Sequence, residues 1–426
     1  MRWNSVQIAK TCLRTRMRDP KRNPDTPFLY VDISAIDRSL KVITSAPEIL
    51  GADAPSRARK EIREGDILVS TVRPNLNAVA VVPPDLDGQI ASTGFCVLRP
   101  NKETIFGKYL FYFTTTPNFV GILSGKVRGA HYPAVSDGDV KEIELPLPTV
   151  SEQQRIVEIL DQANALRRKR AEADAKAARI LPALFYKMFG DPVTNSRELP
   201  IKKLGDLIEE AVFGLSKPLS GKTTQEPGTI PILRMANISP EGFLDVADLR
   251  YEAIPSRSSD RYTVKRGDLL FNWRNSPKWI GKTAIFHGNG PFSYASFLYR
   301  LRVKQNQADN RYIWQLLNAL VSYGWFTQKC RQAVSQANFG RDELANIDIP
   351  YAKLERQQEF GRAYDQCLLQ RDLIFKSSKS IEAVFRTLLY CAFTGDLTAK
   401  WREAHMKELL AEMETQAKAL DNRSKK

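Results

Sequence analysis

Gly65-Asp66-Ile67-Leu68-Val69-Ser70-Thr71-Val72-Arg73-Pro74 and Gly267-Asp268-Leu269-Leu270-Phe271-Asn272-Trp273-Arg274-Asn275-Ser276 are two versions of one pattern: a Gly-Asp turn, an apolar run, and a polar loop with arginine. The same succession follows each. A strand-like run comes first (Ala91 to Arg99; Tyr294 to Val303), then an aromatic-rich helical stretch (Lys108 to Leu123; Arg311 to Phe326). A proline-ended strand is next (Ile143 to Pro148; Ile347 to Pro350), and finally a long charged helix opened by paired glutamines. The offset is 202 residues from Gly65 to Gly267 and from Pro148 to Pro350, and 204 from Gln153 to Gln357. A period of half the chain indicates a duplication rather than a solenoid. Two like modules suit contact with one object at two places.

At 426 residues the chain is too long for one ordinary core, so two or three domains are expected. The net charge of +15 and a pI of about 9.5 favour a polyanionic partner. Cys12, Cys96, Cys330, Cys367 and Cys391 are scattered without Cys-x-x-Cys spacing, which argues against a zinc site and for a reducing compartment. His131, His287 and His405 lie too far apart in sequence to suggest a metal site. The segment Met1-Arg2-Trp3-Asn4 opens no signal peptide, and no apolar run reaches membrane-spanning length. A cytoplasmic location is expected.

Short strand-like runs broken by Pro and Gly (Phe28 to Ile33, Asp66 to Thr71, Ala78 to Val82) make residues 1–148 a mixed domain. From Glu152, Pro and Gly vanish until Pro182, and Ser151 before Gln153-Gln154 predicts a helix capped by that serine. Ile156, Ile159, Leu160, Ala163 and Leu166, then Ala177, Ile180, Leu181, Leu184 and Met188, form a seam at spacings of three and four. A continuous helix over 151–188 would span about 57 Å, with a bend at Pro182, before Phe189-Gly190-Asp191-Pro192 stops it. A second mixed region precedes a second helix over about 352–393. Its seam is Phe360, Tyr364, Cys367, Leu368, Ile374, Ile381, Val384, Phe385, Leu388 and Ala392. Antiparallel pairing of the two seams is the preferred arrangement. The tail from Trp401 reads as a frayed helix or disorder, with Leu409, Leu410, Met413 and Ala417 on one face.

The motifs of catalysis are missing from the sequence. Gly221-Lys222-Thr223-Thr224 lacks the glycine a phosphate loop needs at 216, which is Ser216, and no Asn-Pro-Pro-aromatic or Gly-x-Gly-x-x-Gly motif occurs. The Gly-Asp turns read as entries to strands. Two polar loops recur instead. The first carries Arg73, Asn75 and Asn77 in one half, and Asn272, Arg274, Asn275 and Lys278 in the other. The second carries Lys126, Arg128 and His131, and then Gln336, Asn338 and Arg341. Arginine suits guanine edges and phosphates, and asparagine or glutamine suits adenine. These thirteen residues are the candidate DNA contacts; no catalytic or metal-binding residue is assigned. An enzyme with degraded motifs, a two-domain DNA-binding regulator, and an adaptor using only its helices remain alternatives.

The chain resembles the specificity subunit of type I restriction-modification enzymes. The resemblance is carried by Leu145-Pro146-Leu147-Pro148 followed by Glu152-Gln153-Gln154-Arg155-Ile156-Val157, and by Leu166-Arg167-Arg168-Lys169-Arg170. The helix ends Leu184 to Pro192 and Ala392 to Leu397 belong to it, and Tyr30 to Ser34 and Leu233 to Ser239 fit early strands of two recognition domains. The implied fold is α+β: two pseudo-twofold-related target-recognition domains (1–148 and 193–350) joined by two long antiparallel helices (149–192 and 351–397) forming a coiled-coil spacer, with a tail over 398–426. The implied function is non-catalytic recognition of an asymmetric bipartite sequence in double-stranded DNA. Two methyltransferase and two restriction-translocase subunits would bring S-adenosylmethionine, ATP and Mg; this chain would bind no cofactor. A stand-alone DNA-binding protein or a recognition subunit of another defence system is the alternative. The Pro350–Gln357 junction reads two residues longer than Pro148–Gln153, so the two docking surfaces are expected to differ.

Overall fold

A computed structural model describes residues 3–129, 133–216, 218–254, 259–333 and 336–424. They form two compact units, 1–171 with 377–426, and 172–376.

In the first unit, Ile67–Ser70 and Phe95–Pro100 pair at the centre of a four-stranded sheet flanked by Val79–Val81 and Cys12–Leu13. Successive side chains of a strand point to opposite faces. Ile67, Val69, Cys96 and Leu98 therefore join a core with the helices Gly107–Thr114 and Pro117–Gly125, through Tyr109, Phe113 and Phe119. Leu68, Phe95 and Val97 join a second core with Val31 and Ala91 of the other sheet. That sheet orders Glu48–Leu50, Pro27–Val31, Ile90–Ser92 and Ala58–Glu61, with one parallel pairing. The run read as one strand from Ala91 is thus two strands serving two sheets.

The second unit repeats this plan. Leu269 and Phe271 face the core lined by Tyr312 and Leu316, while Leu270 faces Leu233 and Tyr294. The Gly-Asp turns prove to be ion-pair anchors as well as strand entries. Gly65 and Gly267 take positive φ (79° and 92°), and the following aspartates are buried. Asp66 accepts from Arg63 N (2.8 Å) and from both Nε and Nη2 of Arg99 (2.8 and 2.7 Å). Asp268 accepts from Lys265 N (2.8 Å) and from Nε and Nη2 of Arg302 (both 2.9 Å). Two-pronged pairs of this kind fix geometry as well as charge.

The strand-to-helix junction also repeats. Tyr109 and Tyr312 donate their hydroxyls to Pro146 O (2.8 Å) and Pro350 O (2.6 Å). Gln153 accepts from Phe106 N and donates to Pro148 O; Gln357 accepts from Asp309 N and donates to Ala352 O. These buried glutamines hold the chain end of each mixed fold to its helix. The partner of Pro350 is therefore Pro146, not Pro148. Each junction spans seven residues from proline to glutamine, and the two-residue difference read from sequence disappears.

Several helix assignments change. The first helix starts at Val150, and the cap is Thr149, whose Oγ1 accepts from Glu152 N (3.3 Å); Ser151 lies inside and donates to Glu412. The helix is not continuous. It runs Val150–Ala177, turns, and resumes over Ile180–Phe189. Pro182 has no N–H to give Ala178 O, so the ladder breaks one turn ahead of it. The restart shifts the phase, placing Leu181 and Phe185 inside and leaving Ile180 53 % exposed. Leu166 (54 %) and Val384 (58 %) also lie outside the seam, whereas beside them the Arg167 guanidinium covers the Phe385 ring at 4.2 Å.

The second helix, Leu354–Thr394, is unbroken over 41 residues. Within the first unit the two helices run antiparallel: Glu152 meets Thr398 just beyond the second helix, and Arg167 meets Glu382 (2.8 Å). In the second unit Phe185 and Phe189 pack edge-on against Phe360.

The tail is neither frayed nor disordered over 399–424. It forms helices Ala399–Ala404 and Met406–Ser424. Its buried face is Arg402, Leu409 and Gln416, spaced by seven, whereas Leu410 is exposed and so is Ala417. Leu409 of the face read from sequence is therefore buried, but the other two anchors are polar and apolar spacing cannot point to them. Arg402 meets Glu152 (2.8 Å), which also accepts from Trp3 Nε1 and Thr398 Oγ1. Gln416 donates to Thr104 O (2.7 Å) and Pro148 O (3.1 Å).

Candidate nucleic-acid interface

The two recurring loops lie far apart in sequence, and each unit joins its pair by main-chain bonds. In the first unit Arg73 N donates to Pro133 O (2.8 Å), Val135 N donates to Thr71 O (2.9 Å), and Arg128 bridges to Ala134. In the second unit Arg274–Asn275 pairs with Gln336–Asn338, which pairs with Arg331–Ala333, and Phe339 N donates to Trp273 O (2.9 Å). One small platform results in each unit.

On the first platform Arg73 and Asn77 take left-handed φ (49° and 45°) either side of a single turn, Pro74–Leu76. The turn thrusts Arg73 and Asn75 outward; both are exposed. Asn77 does the opposite work. Its amide donates to Thr114 O (3.0 Å) and accepts from Lys41 Nζ (2.8 Å), which ties the loop down. Burial and the nearby Arg167 charge push the Lys41 ammonium down to about 8, with Asp37 opposing. Arg128 projects, with a side chain 77 % exposed and a long contact to Asp139 (3.4 Å), while Lys126 reaches Glu142 (3.2 Å). Asp139 is held below the usual carboxylate range by hydrogen bonds from the Ser136 side chain and backbone. His131 lies outside the described residues.

On the second platform Arg274 stacks near the Phe297 ring (5.2 Å), and exposed Lys278 lies 4.8 Å from the Trp279 ring. Arg341 is exposed at the start of the helix Arg341–Ala345. Asn338 is half-buried and its Oδ1 has no hydrogen-bond partner among the described residues. Gln336 lies on the middle strand of the platform. Asn272 is fully buried and no base could reach it. With its amide turned to satisfy both ends, it donates to Arg274 O (2.9 Å) and accepts from Asn275 Nδ2 (2.6 Å). Asn275 in turn accepts from Ser276 N (2.8 Å). Asn77, Asn272 and Asn275 thus shape the platforms, and the outward cations do the presenting.

The sequence reading missed one basic element. Arg14, Arg16, Arg18, Lys21 and Arg22 are all exposed on the stretch between Leu13 and Asn23. The charge run itself was the available signal. Among the described residues, no group of three or more His, Cys, Asp or Glu could hold a metal ion, and no helix is long and apolar enough to cross a membrane.

Comparison with known families decides what kind of scaffold this is. The profile described as "Type I restriction modification DNA specificity domain" matches residues 39–173 and 198–383. The chain belongs to that specificity family. Recognition of DNA sequence is the family's work, and the α+β plan of two mixed domains with long helices is its fold. The chain is 24 % identical over 334 residues to the type I restriction enzyme EcoKI specificity subunit of Escherichia coli K12, covering 72 % of this chain and 69 % of that one. It is 26 % identical over 200 residues to the HindI specificity subunit of Haemophilus influenzae, a match spanning 46 % of this chain and less than half (42 %) of that subunit. A chain solved in work on complex assembly and conformational transition of the type I R-M system is 30 % identical, covering 93 % of this chain and 98 % of that one, with a TM-score of 0.56.

Proposed function

We propose that this specificity-family chain reads an asymmetric, bipartite DNA target, one half-site per platform, and docks methyltransferase and restriction-translocase subunits that perform the chemistry. The observation carrying this reading is that both units bring the same two loops together while arming them differently. Arg73, Asn75 and Arg128 line one platform; Arg274, Lys278 and Arg341 line the other. Equal scaffolds with unequal side chains read unequal sequences. Residues 1–148 and 193–350 would be the exchangeable recognition parts.

The helices support the docking role. Tyr390 (70 %) and Val384 in the first unit, and Leu369 (69 %) and Leu373 (60 %) in the second, hold apolar side chains in solvent. Leu369 and Leu373, one turn apart, share a face, and exposed apolar patches of this kind mark partner surfaces. In this reading the chain is not itself an enzyme. S-adenosylmethionine, ATP and Mg belong to two methyltransferase and two restriction subunits, and the target adenine is flipped out for N6 methylation by the former.

The test is co-expression with a methyltransferase subunit from the same genome, followed by methylome sequencing. A complex of one recognition chain with two methyltransferases, and N6-methyladenine in a split asymmetric motif, is expected. DNA binding without partner or methylation would instead favour a stand-alone regulator.

A further inference from the structure

We infer that the arm over residues 13–23 of the first unit is a phosphate-binding element that grips duplex DNA beside the first platform, and that the equivalent stretch of the second unit lacks the charge for that work. The inference rests on the proposed reading that the first platform meets DNA.

The arm is built in, not loose. It runs along Ala58–Glu61, the outer strand of the second sheet: Arg18 N donates to Arg59 O (2.8 Å), Glu61 N donates to Arg16 O (3.1 Å), and Met17 bridges to Lys60. That strand leads directly to the platform. Lys60 Nζ donates to Phe95 O and to Asp137 Oδ2 (both 2.5 Å), and Asp137 opens the helix that follows the Lys126–Ala134 loop. Thr93 N donates to Arg57 O (2.8 Å), and Thr71 N, two residues before Arg73, donates to Gly94 O (2.9 Å). Arm, edge strand and recognition loops are therefore one continuous surface.

Its charge is one-sided. Five exposed cations face a single acid, Asp19, which is already engaged by Arg59 Nη1 (2.6 Å) and Lys21 N (3.1 Å). Arg16 and Arg18 flank Met17 on an extended segment and so point to the same side. The equivalent stretch of the second unit, 214–228, has only Lys217 and Lys222 in its sequence, and Lys222 is paired with Glu226 (2.6 Å). Bare cations beside a reading surface suit the phosphate backbone, which sets register and affinity without reading bases.

The experiment uses the full chain assembled with its methyltransferase. Binding to the methylated motif's duplex is measured against salt for wild type and for R14Q/R16Q/R18Q. These changes leave the Arg59–Asp19 pair intact. Each lost phosphate contact lowers the slope of log affinity against log salt by about 0.9, so a fall of about 2 to 3 is expected, with the preferred motif unchanged. Footprints should also shorten on the flank of the half-site read by residues 1–148 only. An unaltered slope, in a variant with wild-type melting, overturns the arm while leaving the proposed function standing. Lack of sequence-dependent binding by the wild-type assembly overturns both.

Discussion

Glu152→Ala should release the C-terminal helices and destabilise the first unit by about 3–5 kcal/mol, the range for stranding one partner of a buried ion pair. The magnitude follows from what the carboxylate holds. Glu152 is 2 % exposed and Arg402 9 %. Oε1 accepts from Arg402 Nε (2.8 Å) and Thr398 Oγ1 (2.7 Å), and Oε2 accepts from Trp3 Nε1 (3.1 Å). Removing it leaves a buried guanidinium whose remaining contacts are Gly395 O (2.7 Å), a long one to Thr398 Oγ1 (3.4 Å) and the Trp3 ring. For a unit of some 200 residues, each kcal/mol moves Tm by about 2–4 °C, so a fall of roughly 6–20 °C is expected.

The second unit supplies the control. Arg356 occupies the position equivalent to Glu152, one residue before the buried glutamine, but it is exposed and, among the described residues, pairs with Glu359 one turn along (3.1 Å). Arg356→Ala should cost under about 1 kcal/mol. Calorimetry gives the melting temperatures, and hydrogen exchange across 399–424 reports whether the tail has lifted. A double variant with Arg402→Ala should be less destabilised than the sum of the single changes, because the stranded charge is gone. Equal losses at Glu152 and Arg356, or a tail as protected in Glu152→Ala as in wild type, would refute the argument.

Other outcomes follow from the platforms. Arg274→Ala should weaken DNA binding by about 1–3 kcal/mol if the side chain pairs with a base, whereas Asn272→Ala should lower melting, since unpaired buried groups cost about 1–3 kcal/mol each. Titrated DNA binding and calorimetry separate the two, and a stable Asn272→Ala with an altered motif would reverse the assignment. Exchanging residues 1–148 for those of another specificity protein should change one half of the methylated motif; a wholly new or wholly unchanged motif refutes the division. Lys41 has a folded pKa of about 8, below its ordinary 10.5. The unfolded chain binds more protons between those values, so this group adds stability as pH rises from about 8 to 10.5 and adds no slope below. Comparing denaturation of wild type and Lys41→Met across that window should show the extra slope in wild type alone.

How much of this was legible in the sequence depends on where each signal lives. The duplication, the mixed domains and the helices were readable because local composition carries them: the apolar run Ile67 to Val69 after its Gly-Asp turn, the proline-free stretch after Glu152, the glycine stop at Gly190. The buried glutamines were readable as motif but not as mechanism, since their carbonyl partners are set by tertiary folding. The tail misled because its anchoring face is Arg402, Leu409 and Gln416, and hydrophobic spacing cannot see a buried face that is two-thirds polar.

The candidate site was hardest for a related reason. Arginine and asparagine attract attention as readers of bases, but an amide is equally good at tying a loop to backbone. Asn77, Asn272 and Asn275 do the latter, and nothing in their neighbours' identity distinguishes them from Asn75, which projects. On the first platform the difference is a backbone matter: with left-handed φ at Arg73 and Asn77, the turn between them buries Pro74, exposes Asn75 and folds the Asn77 amide in. Sequence names the residue types a platform can use. Only the path of the chain decides which of them build it and which of them it presents.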